Sequence, residues 1–136
     1  MQNHRAVAYF LLRFAIGMNI FCHGFFRILS GVSTFATGMA KHMAPSPLPQ
    51  FAMLPFTYSI PFIEVTLGAL LLVGLGTRWA LAALSLFMIM LTLGVTSQQD
   101  WAGAGAQLGY TFVFFFALFY VEYNDYSVDT LLRRKA

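Results

Sequence analysis

The sequence predicts an all-α protein, a bundle of four transmembrane helices. Three observations carry that expectation. Of 136 residues, 59% are hydrophobic and only 10% are charged, which is too little polar surface for a water-soluble domain. Four apolar segments, at about 6–28, 57–76, 79–97 and 106–121, each approach the roughly 20 residues that cross a hydrocarbon core as helix. Ionisable residues are also scarce inside those segments, as lipid-facing helices require. Little of the chain is left over, so 1–136 reads as a single transmembrane domain.

The first segment, 6–28, follows Arg5 and has the position of a cleaved leader, but its length and its interior Arg13, Asn19 and His23 argue for a span that is kept. At about 100° per residue, Arg13, Asn19, His23 and Arg27 fall within an arc of roughly 120° and form a polar stripe that cannot cheaply face lipid. The stretch 29–56 holds Pro45, Pro47, Pro49 and Pro55 and reads as a long extracytoplasmic loop, with a short surface helix near 31–43. The second span, 57–76, carries Glu64 about two turns in. A carboxylate there costs roughly 2.5–3.5 kcal/mol if ionised at mid-membrane, so it needs a partner or a proton. On the third span, 79–97, Ser85, Thr92, Thr96 and Gln99 lie within roughly 60° and are expected to face the first span's stripe or a shared cavity.

The fourth span, 106–121, is short but very apolar. Its run Tyr110-Thr111-Phe112-Val113-Phe114-Phe115-Phe116 reads as lipid-facing and packing surface that could also flank a flat ligand. Trp79, Trp101, Tyr120 and Tyr123 sit where interfacial belts belong. Gly17, Gly24, Gly68, Gly74 and Gly109 are expected to let helices approach closely. An even number of spans puts both termini on one side of the membrane. That side collects Arg5, Arg78, Arg133, Arg134 and Lys135, five of the eight Lys and Arg residues, so the positive-inside rule makes both termini cytoplasmic. The net charge of +3 thus speaks of topology and anionic lipid headgroups, and gives no reason to propose nucleic acid.

Candidate chemistry gathers at the outer end. Side chains lean towards the N-terminus of their helix, so His23 and Arg27 on a rising first span and Glu64 on a descending second span converge in depth. Gln99 and Gln107 belong to the same level. Two readings stay open: a structural Arg27–Glu64 ion pair that pins two helices, or a pair that also shapes a pocket. In the second, Glu64 and His23 handle protons in catalysis, while Arg27, Gln99 and Gln107 bind a small anion or a quinone headgroup. Histidine and guanidinium one turn apart suit an oxyanion or a quinone carbonyl. Arg13, deeper in the inner half, is expected to pair with Glu122 or to snorkel to the headgroups. Cys22 is the only cysteine, which excludes an internal disulfide or a Cys-x-x-Cys relay. No second histidine or cysteine lies within ligand spacing of His23, so no metal site is expected.

Several of these motifs resemble the DoxX-like family of small membrane proteins. Leu11-Leu12-Arg13, Ile16-Gly17, His23-Gly24 and Arg27 resemble its first helix. Phe62-Ile63-Glu64-Val65, Gly68 and Gly74-Leu75-Gly76-Thr77-Arg78 resemble its second helix and the turn that follows. Gln107-Leu108 and Tyr123-Asn124-Asp125-Tyr126-Ser127-Val128-Asp129 are similar to the last helix and its exit. The resemblance implies a four-helix membrane bundle in a bacterial inner membrane. For some relatives it implies thiosulfate:quinone oxidoreduction beside a small partner, and for others an accessory role in redox complexes or a chaperone role in eukaryotic membranes. Two functions are therefore expected: a quinone-linked redox component, or a non-catalytic accessory subunit that forms a homo-oligomer or docks a larger membrane complex.

Overall fold

The computed structural model describes residues 4–47 and 49–134, and no strand occurs among them. In chain order it forms α1 (His4–Leu29), α2 (Val32–His42), α3 (Gln50–Val73), α4 (Thr77–Ser97), α5 (Trp101–Phe119), a 3-10 turn at Val121–Tyr123, and α6 (Val128–Arg133). The helices α1, α3, α4 and α5 are each long and apolar enough to cross a membrane. This is an integral membrane protein. Lys135, counted above with the positive side, lies outside the described residues.

The prolines that suggested a loop do not keep the second span short. It begins at Gln50, with Pro49 as its N-cap, and runs through Pro55 and Pro61. Prolines are tolerated inside spanning helices where neighbours and hydroxyls cover the freed backbone. Pro55 and Pro61 remove the helical donors to the Phe51 and Thr57 carbonyls, and Pro61 is buried against α1. Most of the expected loop is thus helical: α2 packs on α3 through the buried Ala36, and α3 takes the rest.

Two close pairs make up the bundle. The helices α1 and α3 approach backbone to backbone over glycines. A Cβ at Gly68 would stand 2.7 Å from the Phe21 Cα, and one at Gly17 would stand 2.9 Å from the Leu72 nitrogen. The second pair is α4 with α5. Between the pairs lies a core of Ile16, Ile20, Leu71, Leu84, Met88 and Phe114. Gly109, expected to serve packing, has nothing within 4 Å of its added Cβ and faces outward. The hydroxyl stripe on α4 needs no facing helix, because Ser85 and Thr92 donate to Leu81 and Met88 of their own helix, each at 2.8 Å.

Arg13 organises the end of the bundle that carries both termini. It is only 1% exposed, and it neither pairs with Glu122 nor reaches the headgroups. Its guanidinium donates to the Leu71 carbonyl, to the Leu72 carbonyl at 3.1 Å and to the Tyr126 carbonyl at 2.8 Å. The last carbonyls of a helix have no partner within it, and Arg13 supplies donors to those of α3. Gly74 then turns the chain at φ 72°, where a Cβ would also stand 2.8 Å from an Arg13 nitrogen. The C-terminal segment closes over this turn. Asp129 accepts from the backbone nitrogens of Gly76 and Thr77 at 2.6 and 2.9 Å, and the Asn124 amide donates to the Thr77 hydroxyl at 2.9 Å.

Candidate functional site

At the opposite end, Glu64 of α3 is 4% exposed and lies against α1 where Gly24 leaves room for it. Arg27 Nη1 forms an ion pair with Glu64 Oε1, and the Arg27 guanidinium carbon also lies 4.6 Å from the Phe35 ring centroid of α2. Three elements thereby meet at one cation. The other carboxylate oxygen, Oε2, is buried without a hydrogen-bond partner among the described residues. A cavity of about 310 Å³ beside Arg27 is lined by Phe26, Arg27, Ser30, Gly31, Thr34 and Phe35. It lies between α1 and α2 and holds none of His23, Glu64, Gln99 or Gln107.

His23 points elsewhere. It is exposed on the side of α1 that meets α5, edge-on to Tyr110 with the ring centroids 6.4 Å apart. One turn below it, the exposed Asn19 accepts a hydrogen bond from the Tyr110 hydroxyl at 3.2 Å. Asn19 lies about 22 Å along α1 from its first turn, so this polar group belongs to bilayer depth and not to the headgroup layer. Beside it runs a groove of about 200 Å³ between α1 and α5, with a floor of Ala15, Ile16, Ile20, Val113 and Phe114.

The five residues expected in one pocket are therefore distributed. Arg27 and Glu64 stand together, and His23 joins Asn19 and Tyr110. Gln99 is exposed in the turn from α4 to α5 at φ 58°, and Gln107 is half-buried on α5 with its Oε1 unpartnered among the described residues. Neither glutamine hydrogen-bonds to His23, Arg27 or Glu64 among the described residues. Tyr110 opens the aromatic run that the sequence marks as lipid-facing and packing surface, able also to flank a flat ligand. The signal that marks it is depth, since a phenol midway along an apolar helix needs a partner, and Asn19 is the amide at its level.

The chemistry on offer is hydrogen-bond donation. With Oδ1 taken by Tyr110, Asn19 retains two amide N–H donors, and a neutral His23 offers one ring N–H. A comparison with known families matches residues 8–97 to DoxX. The chain belongs to the DoxX family. The DoxX match spans α1 to α4, so Asn19, His23, Arg27 and Glu64 fall inside it, while Gln99, Gln107, Tyr110 and the C-terminal segment lie beyond it. No curated protein and no solved structure matched the chain.

Proposed function

We propose that this DoxX protein is a component of a membrane redox system that holds a quinone headgroup in the groove between α1 and α5. The single observation that carries this reading is the cluster of Asn19, His23 and Tyr110, presented on the bundle surface at bilayer depth beside an apolar groove. Polar side chains inside a membrane are costly and mark functional positions. A quinone carbonyl can only accept hydrogen bonds, and Asn19 and His23 have donors to give, so the residues fit that group. Bound there, a quinone would supply two-electron, two-proton carrier chemistry.

The protein's own residues divide the work. Asn19 orients one carbonyl, with its amide plane held by the Tyr110 hydroxyl. His23 is the proton-handling group, because it is exposed and outside the ion pair. Glu64, tied to Arg27, fixes the spacing of α1 and α3 and so the wall of the site. The excess of positive charge on the face carrying both termini supports a cytoplasmic location for them, in a bacterial inner membrane.

The second reading is an accessory subunit, in which the same polar cluster takes hydrogen bonds from a partner helix. Photolabelling with a quinone analogue, on protein in lipid nanodiscs, separates the two. Under the quinone reading, label maps to α1 and α5, and Asn19→Leu or His23→Leu lowers it by about fivefold or more, the value of one lost hydrogen bond. Gln99→Ala serves as the control and leaves labelling unchanged. Labelling that is absent, or indifferent to Asn19 and His23, sinks the quinone reading, and copurification of a membrane partner lost in Asn19→Leu replaces it with the accessory one.

A further inference from the structure

A further cavity, of about 420 Å³, opens between the start of α1 and the end of α5, and it shares only Leu12 with the groove described above. It is lined by Arg5, Ala8, Tyr9, Leu12, Tyr120 and Tyr123. Its polar lining consists of one guanidinium and three phenols, with no carboxylate. Tyr9 is committed, donating to the Ala117 carbonyl at 2.9 Å. The other two phenols are not. Arg5 Nη1 donates to the Tyr123 hydroxyl at 2.9 Å, so that hydroxyl accepts and keeps its own proton to give outward. Tyr120 is 41% exposed and its hydroxyl makes no hydrogen bond among the described residues.

Arg5 is also held in place, its guanidinium carbon 5.5 Å from the Tyr123 ring centroid. Glu122, between the two tyrosines in sequence, does not offset this charge within the cavity. It lines the neighbouring cavity with Arg78 and Arg133. Depth narrows the ligand further. Arg5 lies in the first turn of a spanning helix and Tyr120 caps the end of another, so the donors stand at the boundary between hydrocarbon and headgroups. Ala8 and Leu12 continue from them into the membrane as an apolar floor.

Donors at headgroup level above an apolar floor match a phosphate joined to an acyl chain. We propose that this cavity is a binding site for an anionic phospholipid. The phosphate sits against Arg5, Tyr120 and Tyr123, and the start of one chain lies along Ala8 and Leu12. The cavity adjoins the α1/α5 groove at Leu12, which lines both, but its donors Arg5, Tyr120 and Tyr123 line only this cavity, and it does not depend on what that groove binds.

The test is native mass spectrometry of the chain released from nanodiscs containing equal phosphatidylglycerol and phosphatidylcholine with the same acyl chains. The expected result is one phosphatidylglycerol retained per chain in preference to phosphatidylcholine. Arg5→Gln should reduce that preference about fivefold or more, the value of one basic side chain at a membrane surface. Arg134→Gln, a cation of a separate cavity, should not reduce it. Tyr120→Phe breaks no bond within the described residues and should weaken retention with the fold intact, which keeps the test decisive if Arg5→Gln is unstable. No preference in the wild type, or an equal loss in Arg134→Gln, would overturn the site in favour of diffuse surface charge. Displacement of the lipid by millimolar inorganic phosphate would overturn the acyl-chain part of the assignment.

Discussion

Replacing Arg13 by leucine tests most directly the account of the end that carries both termini. The side chain is 1% exposed and its guanidinium serves three carbonyls, those of Leu71, Leu72 and Tyr126. A charged donor contributes about 1.5–3 kcal/mol per hydrogen bond, and leucine would leave the carbonyls buried and unserved. Against that stands the return of the desolvation penalty of a buried cation that has no carboxylate against it, which is several kcal/mol. The balance predicts a net loss of about 2–4 kcal/mol for Arg13→Leu. Arg13→Lys should recover less than half of it, since an ammonium cannot span three carbonyls as a planar fork does. Reversible unfolding of the purified protein in mixed detergent micelles measures both. If Arg13 merely reached the headgroups, the loss would stay within about 0.5 kcal/mol, as for other surface changes. A result in that range would refute the carbonyl-capping account.

Three further outcomes follow from the geometry. Glu64→Ala should destabilise the protein by about 3 kcal/mol in the same unfolding assay, because it leaves Arg27 without its buried partner, whereas Glu64→Gln should cost less than half as much. Gly68→Ala should separate α1 from α3 and lower stability by about 2 kcal/mol or more, while Gly109→Ala, with open space around it, should be neutral in the same measurement. Asp129 gives a pH signature. Burial pushes its carboxyl up, but the backbone N–H groups of Thr77 and Gly76, the Thr77 hydroxyl and the nearby Arg133 outweigh that and hold it below its ordinary 3.8. A group depressed in the folded state stabilises above its unfolded pKa, so this contribution is complete above about pH 4 and is lost as pH falls through the lower, folded value. Melting curves of Asp129→Asn and wild type should therefore lie a constant distance apart above pH 4 and converge below it; a gap that persists into strong acid would exclude the carboxylate's role.

What the sequence alone determined is the solvent of this protein and the number of its spans. Hydrocarbon demands about 20 apolar residues per crossing, a one-dimensional constraint that composition satisfies in only one way here. The glycines at 17, 24 and 68 and the depth match of Arg27 with Glu64 were legible for the same reason, since residue spacing on a helix fixes face and height. The start of α3 was not, because Pro49 and Pro55 carry loop signals in the sequence, whereas in the fold Pro49 caps the helix and Pro55 lies within it. Only the tertiary structure decided the partners of the remaining polar groups. Arg13 is bound by carbonyls, which every residue carries and no composition can reveal, and His23 turns towards Tyr110 because α5, not α3, borders that side of α1. Height along a helix is written in residue number, but which neighbour stands beside each face is settled by how the helices pack.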